Sequence, residues 1–155
     1  KRLPDSRLSV AGSGPELPAM QALVNQLQLS NQVSFCGKLD RQQMAALYAN
    51  ADIMLNPSTA DNMPNSLLEA MAASALVVST DVGGIPFMVE HQHDALLVPP
   101  AAPEQMAAAA LSLIAQPELA EQLVTNARAK VSQYQPAQVL PCWLSLYQVS
   151  EQANA

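Results

Sequence analysis

The feature that most constrains the fold is a repeated alternation. Short apolar runs that read as strands are each followed by a turn signal and then by a stretch with helical spacing. The runs are Leu8-Ser-Val-Ala11, Val33-Ser-Phe35, Ile53-Met-Leu55, Leu76-Val-Val-Ser79 and Ala95-Leu-Leu-Val98. After the first, Leu17, Met20, Leu23, Val24 and Leu27 recur at helical intervals between Glu16 and Leu29, with Pro15 placed for a first helical turn. Asp40 is placed to cap a helix running through Met44, Leu47 and Tyr48 to about Asn50. Further helices are expected over Ser66–Ala73, in a short piece to Val89, and over 103–115, 118–133 and 136–152. Strand–helix alternation of this kind builds βαβ units and a parallel sheet flanked by helices. The chain reads as one α/β domain spanning 1–155, with C-terminal helices over 103–152.

Composition supports such an interior. Half of the 155 residues are hydrophobic but only 4% are aromatic, so the core must be aliphatic, as suits a parallel sheet buried on both faces. Thirteen acidic residues against seven basic ones leave no basic patch to neutralise phosphates, which excludes nucleic acid as a partner. No apolar run approaches the roughly 20 residues that cross a bilayer. Cys36 and Cys142 lack both metal-ligand spacing and a disulfide framework, and read as free thiols in a reducing compartment. His91 and His93 fall in a polar turn and read as surface residues.

Parallel sheets take ligands at the carboxyl ends of their strands. That rule selects the loops Gly12–Pro15, Cys36–Asp40, Pro57–Ser66 and Thr80–Pro86, expected along one edge. Within the third loop and the helix after it lie two carboxylates, Asp61 and Glu69. Glu69 stands among Leu67, Leu68, Ala70, Met71 and Ala72, so most of that helix is expected to pack inside. An ionised carboxylate there needs a hydrogen-bond donor. The residues leave open whether that donor is a ligand's hydroxyls or local backbone and solvent. Asp61, before Pro64, reads on its own most simply as a turn residue. Asn62 or Asn65 is placed to cap the helix, leaving N–H groups near Ser66 and Leu67 as an anion site.

In order along the chain, several motifs together resemble the C-terminal, Rossmann-like domain of GT-B fold glycosyltransferases of family 4. They are Leu8-Ser-Val-Ala-Gly-Ser-Gly-Pro15, Val33-Ser-Phe-Cys-Gly37, Leu47-Tyr-Ala-Asn-Ala-Asp-Ile53, Pro57-Ser58, the acidic-x7-Glu segment from Asp61 to Glu69, Ala70-Met-Ala72, Val77-Val-Ser-Thr80 and Gly83-Gly84. The resemblance runs from about Leu8 to Tyr134. It implies retaining transfer of a sugar from a nucleotide-diphosphate donor. Glu69 would hold the donor ribose, and Asp61 would contact the transferred sugar. Asn65, Ser66 and Leu67 would meet the diphosphate, Cys36 and Gly37 would line the base, and Gly14 would lie in the first ligand loop.

No essential metal or other cofactor is implied, the nucleotide sugar being a co-substrate. The same resemblance implies a segment before Lys1 and an N-terminal acceptor-binding domain as partner, a cytoplasmic location, and peripheral membrane contact through that other half. It also implies that the 155 residues alone are inactive. A non-catalytic nucleotide-sugar-binding module and a GT-B-like nucleotide-sugar epimerase are the alternatives. Four positions depart from the family pattern. Asp61 stands where Glu is commoner, Ser74 and Leu76 where Gly and Pro are usual, and Phe87 where Glu is frequent.

Overall fold

The computed structural model describes residue 3 and residues 5–152; Lys1, Arg2, Pro4 and the last three residues lie outside them. The chain divides into two compact units, one up to Ala46 and one from Leu47.

In the first unit, strands β1 (Leu8–Ala11) and β2 (Val33–Gly37) pair in parallel, joined by helix α1 (Leu17–Gln26). Helix α1 begins two residues after Pro15, with Pro18 in its first turn, where a missing N–H costs nothing. It ends in a Schellman turn: Gln28 takes φ +57°, and the Leu29 and Gln28 N–H groups return to the carbonyls of Val24 and Asn25. Its apolar stripe is only partly covered: Leu17 and Val24 are half-buried, whereas Met20, Leu23 and Leu27 stay exposed. Helix α2 (Arg41–Ala49), which crosses the boundary between the units, starts with a reciprocal capping box. The Gln43 N–H donates to Asp40 Oδ1 at 2.8 Å and the Asp40 N–H to Gln43 Oε1 at 3.0 Å.

In the second unit, β3 (Ile53–Asn56), β4 (Leu76–Thr80) and β5 (Leu96–Val98) form a parallel sheet in the order β3-β4-β5. Asn56 lies opposite Ser79, and Thr80 opposite Val98. Between them run α3 (Asn65–Ala72) and the short α4 (Ile85–Met88), and afterwards α5 (Pro103–Ala115), α6 (Pro117–Ser132) and α7 (Pro136–Gln152). The aliphatic core is here. Val78, Leu96, Val98, Met106, Leu113 and Leu123 form one buried cluster, and α3 buries Leu67, Ala70 and Met71. The chain thus has a two-stranded and a three-stranded parallel sheet rather than one continuous ladder.

Two features were not anticipated. Asp94 is buried with its side chain fully covered, and it accepts Lys130 Nζ at 2.5 Å and the Glu90 N–H at 2.7 Å. This pair ties α6 to the turn before β5. Ser74 adopts φ +67° in a Schellman turn that ends α3, with the Ala75 and Ser74 N–H groups returning to Ala70 and Met71. Where the family pattern has glycine, serine therefore holds a left-handed conformation.

Candidate functional site

All three strands of the second unit point the same way, so the loops after β3 and β4 leave from one end of that sheet. The first is 57–64 and the second 81–84, and they are joined backbone to backbone. The Gly84 N–H donates to the Asp61 carbonyl at 3.0 Å. A Cβ on Gly83 would stand 1.9 Å from that carbonyl oxygen, and one on Gly84 only 1.8 Å from the Asn62 oxygen. Gly83 also takes φ +55°. Two adjacent glycines are required because only bare backbone fits against the Asp61–Asn62 peptides.

Below this joint lies a buried polar chain. Asn56, at the end of β3, donates from Nδ2 to Ser79 Oγ at 3.1 Å and accepts Ser58 Oγ at its Oδ1 at 2.8 Å. Ser58 Oγ also lies 3.4 Å from Asp61 Oδ2. The Thr80 hydroxyl donates to the Ser58 carbonyl at 2.6 Å. Asn56, Ser79 and Thr80 are all buried, and among the described residues no buried side-chain nitrogen or oxygen lacks a partner. Asp61, half-buried, stands at the outer end of this chain.

Helix α3 begins directly after the loop, and here the sequence reading is corrected twice. Neither Asn62 nor Asn65 caps it: the cap residue is Pro64, in extended conformation, and no side chain bonds the first turn. Leu67 also offers less than expected, because its side chain is fully buried and its N–H is bonded to the Pro64 carbonyl at 3.1 Å. The uncapped N–H groups that can face an anion are those of Asn65 and Ser66, exposed and half-buried respectively.

Glu69 corrects a third expectation. The helix does pack inside, but through Leu67, Ala70 and Met71, whereas Glu69 lies on the exposed side. Its carboxylate therefore needs no buried donor. The phenol of Tyr48 hydrogen-bonds to it, and the Tyr48 pKa is raised, first by burial and then by the Glu69 charge and that hydrogen bond.

The remaining candidates belong to the first unit, where β1 and β2 likewise end together. Gly37 takes φ +65° and its carbonyl accepts the Gly12 N–H at 2.7 Å, which locks the ends of the two strands. The Gly14 carbonyl accepts the Leu17 N–H at the start of α1, and the Cys36 side chain is half-buried. His91 and His93 are exposed; His91 Nδ1 accepts the Leu97 N–H at 2.9 Å. Among the described residues no three His, Cys, Asp or Glu side chains converge as a metal site. No helix of the described residues is long and apolar enough to cross a membrane.

The parallel strands, their sheet-end loops and the flanking helices define a Rossmann-like α/β protein, and comparison with known proteins gives its family. The profile of glycosyl transferases group 1 matches residues 1–116. The chain belongs to this family. It is 31% identical over 144 residues to the N-acetyl-alpha-D-glucosaminyl L-malate synthase of Bacillus anthracis, covering 92% of this chain and 37% of that protein. It is 29% identical to the 2-deoxystreptamine N-acetyl-D-glucosaminyltransferase of Niallia circulans, covering 98% of this chain and 39% of that protein.

Among solved structures, sucrose-phosphate synthase from Thermosynechococcus elongatus superposes with a TM-score of 0.86 at 28% identity, over 98% of this chain and 40% of that one. Anabaena HepE in complex with UDP gives 0.75 at 26% identity, over 84% and 37%. The chain thus spans about two fifths of the length of these relatives, and its fold is that of GT-B glycosyltransferases.

Proposed function

We propose that this chain is the donor-binding half of a retaining glycosyltransferase and that it takes a nucleoside-diphosphate sugar, with uridine the favoured base. The observation that carries the reading is the joint of the two sheet-end loops. It holds Asp61 immediately before a helix whose first turn is left without a side-chain cap. Negative charge is favoured at such a helix start by the aligned peptide dipoles and the open N–H groups. A diphosphate bound there would be stabilised most as charge grows on the departing phosphate, which is the condition for lowering the barrier rather than only binding.

In this reading Asp61 orients the transferred sugar and is not a covalent nucleophile. The glycosyl carbon gains oxocarbenium character, and the acceptor hydroxyl enters on the face the diphosphate leaves. Glu69, exposed on α3 and steadied by Tyr48, accepts the ribose hydroxyls. Asn65 and Ser66 face the diphosphate. No metal is required, because the helix start supplies the stabilisation. The acceptor would be held by a second domain, and transfer by the 155 residues alone is not expected. The uridine preference draws on HepE, whose structure holds UDP. Work on the cytoplasmic side of a membrane, in polysaccharide assembly, is consistent with these roles.

The test is equilibrium titration of the chain with UDP, GDP and ADP, each also in its 2',3'-dideoxy form. The favoured ribonucleotide should bind more tightly than its dideoxy form, and Glu69→Ala should erase about a tenfold preference, the size of one or two hydrogen bonds to a charged group. Unchanged affinity in that variant sinks the ribose assignment.

A further inference from the structure

Several features of the chain are absorbed by neither the fold nor the roles above. The exposed Met20, Leu23 and Leu27 beside α1 and the exposed Leu140, Trp143, Leu144 and Tyr147 of α7 are apolar groups with nothing in the structure to say what covers them. The buried Asp94 carboxylate is already taken up by Lys130 and the Glu90 N–H. The polar chain under Asp61 is different, because it runs from the sheet to a carboxylate assigned to the sugar.

Its chemistry is unusual for a sheet end. Asn56 is a strand residue only 8% exposed, and a leucine or valine there would bury more favourably. Both ends of its amide are used, and in a fixed sense. The NH2 group donates to Ser79 Oγ, so the carbonyl oxygen must face Ser58, whose hydroxyl donates to it. That hydroxyl has one proton and two acceptors within reach, Asn56 Oδ1 at 2.8 Å and Asp61 Oδ2 at 3.4 Å. The shorter contact takes the larger share of the proton. Asp61 is therefore held at a defined distance while its carboxylate keeps most of its capacity to accept hydroxyls from elsewhere. Thr80 fixes the other side of Ser58 by donating to its carbonyl at 2.6 Å, and Thr80 is itself 2% exposed.

We propose that Ser58 and Thr80 are positioning residues for Asp61, and that together with Asn56 they set the carboxylate against the transferred sugar rather than merely holding the loop. The proposal rests on the reading that Asp61 meets the sugar. A structural role would disturb the whole loop, and with it the start of α3 that takes the diphosphate. A positioning role disturbs the sugar alone. The two are separated by comparing a nucleotide that lacks the sugar with one that carries it.

The experiment measures the affinity of the chain for UDP, UDP-glucose and UDP-N-acetylglucosamine by titration calorimetry. The proteins compared are wild type, Asp61→Asn, Ser58→Ala, Ser58→Thr, Thr80→Val and Thr80→Ser. Expected is a fall of about three- to tenfold in affinity for the better UDP-sugar in Ser58→Ala, which loses a long hydrogen bond to a charged group, and in Thr80→Val, which loses the 2.6 Å bond that fixes the Ser58 carbonyl. UDP affinity should stay within about twofold of wild type. Asp61→Asn should show the same selective fall, and Ser58→Thr and Thr80→Ser, which keep the hydroxyl, should restore it.

If Asp61→Asn loses the sugar but Ser58→Ala and Thr80→Val do not, the positioning role is wrong and the assignment of Asp61 survives. Equal loss of UDP and UDP-sugar in Ser58→Ala and Thr80→Val also overturns it in favour of a structural role. Unchanged sugar affinity in Asp61→Asn, or no binding of UDP or either UDP-sugar by the wild type, overturns the donor-site reading and this inference with it.

Discussion

Replacing Gly84 by alanine puts a methyl group 1.8 Å from the Asn62 carbonyl oxygen, 2.7 Å from its carbonyl carbon and 2.9 Å from its Oδ1. Ordinary carbon–oxygen contact needs about 3.4 Å, so one of the two loops must retreat by about 1.6 Å. Two of the three atoms met are backbone, so no rotamer change relieves the clash. The retreat breaks the 3.0 Å bond from the Gly84 N–H to the Asp61 carbonyl, worth about 1 kcal/mol. It also forces an over-packed joint, worth about 1–3 kcal/mol.

The expected destabilisation is about 2–4 kcal/mol, or about 5–12 °C in Tm for a chain of this length. Thermal unfolding followed by circular dichroism measures it, with Gly14→Ala as the control. Gly14 has open space where its Cβ would be, so that variant should stay within about 0.5 kcal/mol of wild type. The same Gly84→Ala protein should lose UDP-sugar affinity, because the loop that moves carries Asp61. A Gly84→Ala protein as stable as wild type would show that the two loops are not locked together and would refute the account of the joint.

Two further outcomes are expected. Tyr48 holds its proton more tightly in the folded chain than unfolded, so its contribution to stability is complete below its unfolded pKa of about 10 and is lost as pH rises through the higher folded value. Urea unfolding between about pH 8 and pH 11 should therefore show a steeper alkaline decline in wild type than in Tyr48→Phe, and parallel declines would exclude the Tyr48–Glu69 interaction. Ser74→Gly should stabilise the chain by about 0.5–1 kcal/mol, since glycine holds φ +67° without the cost a serine bears; destabilisation on urea unfolding would contradict the Schellman turn.

The expected elements of the fold were legible because each signal is local. Apolar runs of strand length, the Asp40–Gln43 capping pair and the prolines at the starts of α5, α6 and α7 act within a few residues of themselves. The acidic-x7-Glu spacing was legible in the same way. Less visible was which side of α3 each residue takes. A carboxylate between leucines and alanines reads as buried, yet eight residues make only about two turns, and a shift of one position moves Glu69 from core to surface. The uncapped start was hidden for a similar reason. Asn62 and Asn65 both have capping chemistry, but the extended Pro64 takes the cap position and leaves the first turn open.

By itself the sequence determined the order of strands and helices, the aliphatic core and the two carboxylates, because these depend on residue type and on neighbours a few positions away. Only the tertiary structure decided what surrounds Asp61. Asn56, Ser58, Ser79, Thr80, Gly83 and Gly84 come from two stretches about twenty residues apart, and nothing in either stretch names the other. The parallel register that sets Asn56 opposite Ser79 brings the stretches together. Once they meet, an amide, three hydroxyls and two bare glycine backbones acquire a purpose that none of them carries alone.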